Sequence, residues 1–329
     1  MIGAEWKKLL RQRWLIGIAI LLIFVDVGLF LNTQYTEKKD RVAAVPLFAE
    51  YQKETADMTN EQAQEYLTDQ LNTLSNFQFV QIALNGEVDE GLLQGLVEEN
   101  PNILEEYQQA GYEEDPLALM TKIQVISELL GQYQNVSGYQ AYLESIQTQY
   151  EQMKDSSFYE GRPYAEAQGK KTTEDFAKLQ GTEPEIGMNW GVEALMEEQI
   201  SSEILILLAL GICIVLVSQD RTHDLFGLLR SCRRGHGCLI AAKFAIALTA
   251  VLFLGISVYG SQIAIAWKLY GMGNLNRPMQ SVNELNESAR QLTVGGYLLD
   301  YYLRHLIAVL VLTAFMLCLF CLLYTSPSP

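Results

Sequence analysis

Histidine, cysteine and positive charge are scarce in these 329 residues, and each scarcity removes a class of function. There are three histidines, His223, His236 and His305, with no H-E-x-x-H pair and no cluster of ligands, so neither a metal nor another cofactor is expected. His223 and His236 are read as surface polar residues. No G-x-x-x-x-G-K-[ST] run occurs either. The chain therefore has no phosphate-cradling loop, and it is not read as an enzyme. With 23 Lys plus Arg against 39 Asp plus Glu, the net charge of −16 argues against a nucleic-acid partner, which would require phosphate neutralisation. The five cysteines all lie between Cys213 and Cys321, leaving residues 33–203 to fold without disulfides. That excludes a disulfide-stabilised secreted module and suits a bacterial cell-surface protein. Cys318 and Cys321 form a C-x-x-C inside an apolar run with no second ligand pair, and are read as packing. Sustained alternation of period two is absent too, which excludes a β domain and leaves an all-α chain.

What the chain has in quantity is apolar sequence. A mean hydropathy of +0.07 does not fit a uniformly soluble acidic protein, so two compositions are joined. Between Trp14 and Leu31 the only charge is Asp26, and Lys7, Lys8, Arg11 and Arg13 precede it. Residues 244–267 and 306–324 carry no charge and approach the ~20 residues that cross a ~30 Å hydrocarbon core. The shorter run Ile204–Ser218 reaches that length if it starts near Ile200, with Glu203 at the interface; its alternative is a buried helix of a soluble core. A cleaved signal peptide is the alternative for the first run, whose apolar stretch is longer than usual for one and which no A-x-A-like site follows closely.

Lys and Arg set the orientation. With the N-terminus cytoplasmic, residues 1–13 and 219–243 hold nine basic and three acidic residues, whereas 32–203 and 268–305 hold 14 and 35. The expected organisation is therefore a polytopic helical protein of the cell membrane. Residues 1–32 form the cytoplasmic N-terminus and first span, and 33–199 an acidic helical extracellular domain. A second span at 200–218, a cytoplasmic coupling loop at 219–243 and a third span at 244–267 follow. An extracellular loop at 268–305 then leads to a fourth span at 306–324.

Within residues 33–203, Thr59 and Gln62 form a capping box before Leu67, Leu71, Leu74 and Phe77. Leu119, Ile123, Ile126, Leu130 and Tyr133 share one helical face; Tyr139, Tyr142, Ile146, Tyr150 and Met153 repeat the pattern after Asn135–Gly138. The spacing predicts two helices joined there as an antiparallel hairpin. The acidic excess reads either as a solvated face or as an attractor for cationic peptides.

The loop between the second and third spans predicts a short amphipathic helix. Leu225, Leu228, Leu229 and Cys232 form one stripe and Arg230, Arg233 and Arg234 the opposite side. Asp220 caps its start, Asp224 lies in its first turn, and the arginines precede Gly235, which suits the helix dipole at both ends. Such a helix either lies on lipid headgroups or docks a cytoplasmic partner.

Residues Asp220-Arg-Thr-His-Asp-Leu-Phe-Gly-Leu-Leu-Arg-Ser, then Gly235 and Leu239-Ile-Ala-Ala-Lys243, resemble the loop after the second span of type-two ABC transporter permeases. Asp220, Leu228, Leu229, Ser231, Gly235 and Lys243 match that pattern, while Asp224 and Leu225 stand where the family has Gly-Thr. Lys171-Thr-Thr-Glu-Asp-Phe and Arg277-Pro-Met-Gln-Ser281 resemble further segments of Gram-positive members. The resemblance implies a six-span permease subunit of an exporter, paired with a second permease subunit as a homo- or heterodimer in the lipid bilayer. It also implies a separate cytoplasmic ABC ATPase, coupled through Asp220, Asp224, Leu225, Leu228, Leu229, Arg230, Arg233 and Arg234. Against that expectation, residues 325–329 (Thr-Ser-Pro-Ser-Pro) read as an artefactual tail, and two more spans are expected beyond it. Asp26 either faces a polar translocation path or reaches the outer interface. The competing reading is a membrane-anchored surface receptor whose acidic helical ectodomain binds a ligand without transport.

Overall fold

The computed structural model describes residues 2–85, 90–112, 115–197, 200–222 and 235–325. Helix accounts for 83% of the chain, and no strand forms among the described residues: the protein is all-α. The chain divides into two compact units. One comprises residues 1–37, 194–269 and 298–329, and the other residues 38–193 and 270–297.

The first unit is apolar. Helix α1 (Ile2–Arg11) is followed by α2 (Arg13–Asn32), which continues into a π-helical turn at Thr33–Glu37. Four helical stretches are long and apolar enough to cross a membrane: Arg13–Glu37, Ser201–Ser218, Gly237–Tyr270 and Val294–Phe320. They belong to α2, α10 (Ser201–Thr222), α11 (Gly235–Tyr270) and α12 (Val294–Thr325). Half of the second stretch and 44% of the third are buried, against 17% of the first and fourth, so α10 and α11 form the interior. Phe24 on α2, Phe253 on α11 and Phe315 on α12 stay exposed, as lipid-facing side chains do. Glycine permits one close approach between helices: a Cβ at Gly255 of α11 would stand 2.5 Å from a methyl of Leu306 on α12.

The second unit is a helical bundle. It contains α3 (Lys39–Glu54), α4 (Asn60–Leu84), α5 (Glu90–Glu99), α6 (Ile103–Gln109), α7 (Pro116–Asp155) and α8 (Pro163–Ala177). The start of α9 (Trp190–Met196) also belongs to it. Residues 270–297 add two 3₁₀ turns, Met279–Ser281 and Asn283–Leu285. The capping box at Thr59 forms: the Thr59 hydroxyl accepts from the Gln62 N–H, and the Gln62 side chain accepts from the Thr59 N–H. Helix α4 buries Leu67, Leu74, Phe77 and Val80 and packs along α7, which buries Leu119, Val125, Ile126, Leu129 and Tyr133. Each such side chain contributes ~1.5–3 kcal/mol of burial. Phe48 of α3 meets Trp190 edge-on, with ring centroids 5.4 Å apart. Tyr139, Leu143, Phe176 and Leu179 form a further cluster where α7 meets α8.

The predicted break at Asn135–Gly138 does not occur. Helix α7 runs unbroken for 40 residues from Asp115, whose carboxylate caps it by accepting from the Ala118 N–H. Gly138 is not among the glycines of positive φ, and no breaker stronger than one glycine lies in the segment. Its ~1 kcal/mol penalty is small against the burial on either side. The side chains there bond outward: Asn135 donates to the Gln280 carbonyl and Ser137 accepts from Gln64. The antiparallel neighbour that the hairpin would have supplied is α4.

Candidate functional site

An ionisable group inside an apolar helix has to be solvated by its neighbours. Asp26 of α2 is 3% exposed. Ser201, the first residue of α10, donates its hydroxyl proton to Asp26 Oδ1 at 2.7 Å, and Gln262 of α11 donates from Nε2 to Oδ2 at 3.2 Å. Nε2 of Gln262 also donates to the Ser201 hydroxyl oxygen. Asp26 is thus turned into the helical unit and held by two neutral donors from two other helices.

Beside this triad lies a cavity of about 390 Å³ lined by residues of α10, α11 and α12, among them Ser202, Glu203, Tyr259, Gln262, Tyr302 and His305. The chain brings them together because α10 starts, α11 ends and α12 starts at this end of the unit. The Ser202 and Tyr259 hydroxyls lie 3.3 Å apart. Tyr302 donates to the Leu195 carbonyl at 3.3 Å, and His305 Nδ1 lies 2.8 Å from the Tyr301 carbonyl oxygen. The Tyr259 and Tyr302 rings are 5.0 Å apart. Gln262 is wholly buried, and its Oε1 finds no partner. No Lys or Arg is among the described residues that line the cavity.

A second polar cluster lies in the bundle unit. Glu193 of α9 pairs with Arg41 of α3 at 2.9 Å. Glu128 of α7 accepts from Gln132 at 3.0 Å and from Asn283 at 2.7 Å. Burial pushes the Glu193 carboxyl up to about 8, with the nearby Glu284 and Glu128 carboxylates adding to the shift and Arg41 opposing it. Elsewhere in the same unit, Arg277 is 1% exposed. It donates from Nη2 to the Met188 carbonyl at 2.8 Å and to Asn189 Oδ1 at 2.7 Å. Burial draws its pKa below the ordinary value, against the field of Glu185. A third feature is a smaller cavity of about 240 Å³ between α7 and residues 286–287, lined in part by Asn135, Tyr139, Tyr142 and Glu287. The Tyr139 hydroxyl is buried without a partner, and burial raises its pKa to about 12.

Of the residues singled out in sequence, Asp220 lies in the last turns of α10. Asp224, Leu225, Leu228, Leu229, Arg230, Arg233 and Arg234 lie outside the described residues, as does the amphipathic helix assigned to them. Lys243 is buried in α11 and donates to the Leu216 carbonyl of α10. Among the described residues no group of three or more His, Cys, Asp or Glu is placed to hold a metal ion. Sequence reasoning found Asp26 but missed Ser201, Tyr259, Gln262, Tyr302 and His305. The available signal was Gln262, an amide within a charge-free run of 24 residues and a natural partner for the lone carboxylate. Comparison with known protein families, with curated proteins and with solved structures returns no match.

Proposed function

We propose that this chain is a membrane-spanning permease subunit of an ABC transporter. It acts as an exporter driven by ATP hydrolysis on a separate cytoplasmic ATPase, and has no catalytic chemistry of its own. The observation that carries the reading is the buried Asp26–Ser201–Gln262 triad beside a polar cavity inside an otherwise apolar helical unit. A helix that only anchors a protein has no use for an internal carboxylate, whose burial costs free energy, whereas a subunit that passes polar cargo does. The resemblance of residues 220–243 to the permease coupling loop supports the same reading. In this scheme the N-terminus and that loop are cytoplasmic and the acidic bundle unit is extracellular in a bacterial cell membrane. Closure of an ATPase pair would drive alternating access by biasing one arrangement of the spans.

Expression of the tagged full chain in a bacterial host together with a candidate ABC ATPase subunit, followed by detergent extraction and affinity purification of this chain, tests the reading. The ATPase should co-purify, and charge reversal of Arg230, Arg233 and Arg234 together should release it. Retention by the reversed variant would remove the docking role. A surface receptor without transport remains the second reading, favoured by the small cavity of the bundle unit and its unpartnered Tyr139 hydroxyl. Failure of any ATPase to co-purify would turn the balance toward it.

A further inference from the structure

Helix α1 has two faces of opposite character. Ile2, Trp6, Leu9 and Leu10 lie on one side, and Lys7 and Arg11, four residues apart, lie on the other. Lys7 and Arg11 are exposed, as is Arg13 at the start of α2. Lys8 is paired with Glu5, the only acid in residues 1–25. Among the described residues no ion pair or hydrogen bond engages the Lys7, Arg11 or Arg13 side chain, so three cations stand unneutralised at one end of an apolar unit.

The apolar side of α1 meets a groove of about 340 Å³ within that same unit. Trp6, Leu9 and Leu10 line the end beside the cations, and Trp is a residue type that favours the headgroup boundary. From there the groove follows residues 15–23 of α2, about 12 Å of helix at ~1.5 Å per residue. Leu208 and Ile212 of α10 and residues 250–257 of α11 form its other walls. Ser257 carries the only side-chain oxygen among the described residues of the lining, and it donates its proton to the Phe253 carbonyl. The walls therefore ask for hydrocarbon. Ile16, Ile20 and Phe253 at the groove are exposed, so it opens outward, toward the acyl chains of a surrounding bilayer.

From this we infer that the groove holds an acyl chain of an anionic phospholipid whose phosphate group sits among Lys7, Arg11 and Arg13. The chain end selects hydrocarbon and the cation end selects negative charge, and a phospholipid joins the two at the required boundary. A zwitterionic lipid offers the same chain but brings a cation of its own to the cluster. A second copy of the chain, related by a two-fold axis, would set the same three cations against these, which makes it the poorer occupant. The site rests on the membrane placement of the apolar helices and on nothing in the ATPase or transport reading.

The experiment is native mass spectrometry of the full chain, equilibrated in detergent with equimolar palmitoyl-oleoyl phosphatidylglycerol and phosphatidylcholine. One phosphatidylglycerol should stay bound, with a preference of about fivefold or more over phosphatidylcholine. Replacing Lys7, Arg11 and Arg13 together by Gln should bring the ratio near one, and because all three are exposed, folding is not at stake. Lys170→Gln with Lys171→Gln, which removes exposed charge from α8, should leave the preference intact. Ala19→Phe, which fills the groove, should lower retention of both lipids. Equal retention of the two lipids by the native sequence, an unchanged ratio in the triple variant, or a like loss in the α8 variant would overturn the inference. So would displacement of the lipid by millimolar inorganic phosphate, or a dimer that Ala19→Phe splits while lipid binding persists. Release of the chain by alkaline carbonate without detergent would instead remove the membrane placement itself, and ATPase co-purification is a third, separate measurement.

Discussion

Arg277 and Glu193 are the residues on which the bundle unit depends most visibly. The Arg277 guanidinium reaches two acceptors in the 188–189 segment, while its Nε and Nη1 have no partner. Residue 187 beside it is glycine, and a Cβ there would crowd Nη1 and oblige the guanidinium to shift. Gly187→Ala is expected to lower stability by roughly 1–3 kcal/mol through displacement of the guanidinium, read as a lower midpoint in chemical denaturation. Glu193 makes stability depend on pH. Its native pKa of about 8 stands above the ordinary 4.5, so the native state holds the proton more tightly than the unfolded chain. That stabilisation is complete below about pH 4.5 and is lost as pH rises through 8. Relative to Glu193→Gln, the melting temperature of the native sequence should fall between pH 5 and 9. A parallel pH profile in the variant would contradict this. Neither residue announced its environment in sequence. Glu193 read as part of an acidic excess and Arg277 only as part of a short motif, because burial is decided by contacts such as Glu193 with Arg41, 152 positions away. Asp26 was legible because a charge within an apolar run has no ordinary reading. Its partners, 175 and 236 residues distant, were not.

At the level of elements, local chemistry was read well where it is local. The Thr59–Gln62 box, the four apolar stretches and the alternation of 3 and 4 along α7 all depend on neighbours within one or two turns. The error at Asn135–Gly138 came from weighing turn propensity without the tertiary packing that overrides it. A direct check exists at Gly138, which has helical backbone and open space around its Cα. Gly138→Ala should stabilise the protein by about 0.5–1 kcal/mol, measured as a raised midpoint in chemical denaturation. A turn at that position would give the opposite sign. The α1 helix was also missed, since Lys7, Lys8 and Arg11 read only as the basic flank of the first span.

At the level of the whole molecule, the all-α architecture and the four apolar stretches followed from composition and run length alone. Assembly of the bundle unit did not, because residues 270–297 join it from beyond two apolar helices. Asn283 reaches Glu128 and Ser281 accepts from the Glu185 N–H, so the closing segment contributes bonds that residues 38–193 cannot replace. Replacing 274–293 with a flexible Gly/Ser linker should therefore expose the 183–190 segment to limited proteolysis while leaving α4 and α7 protected.

That discontinuity also places the bundle unit on a clock. A ribosome finishes residues 38–193 and then has to make 194–269, with both apolar helices α10 and α11, before the closing segment exists. At about 5–20 residues per second this interval lasts several seconds. Throughout it, the face that will receive Arg277, Gln280 and Asn283 waits unfilled. The bundle cannot complete its native structure before synthesis of the second and third apolar helices, so a defect in their insertion would register first as a misfolded polar unit.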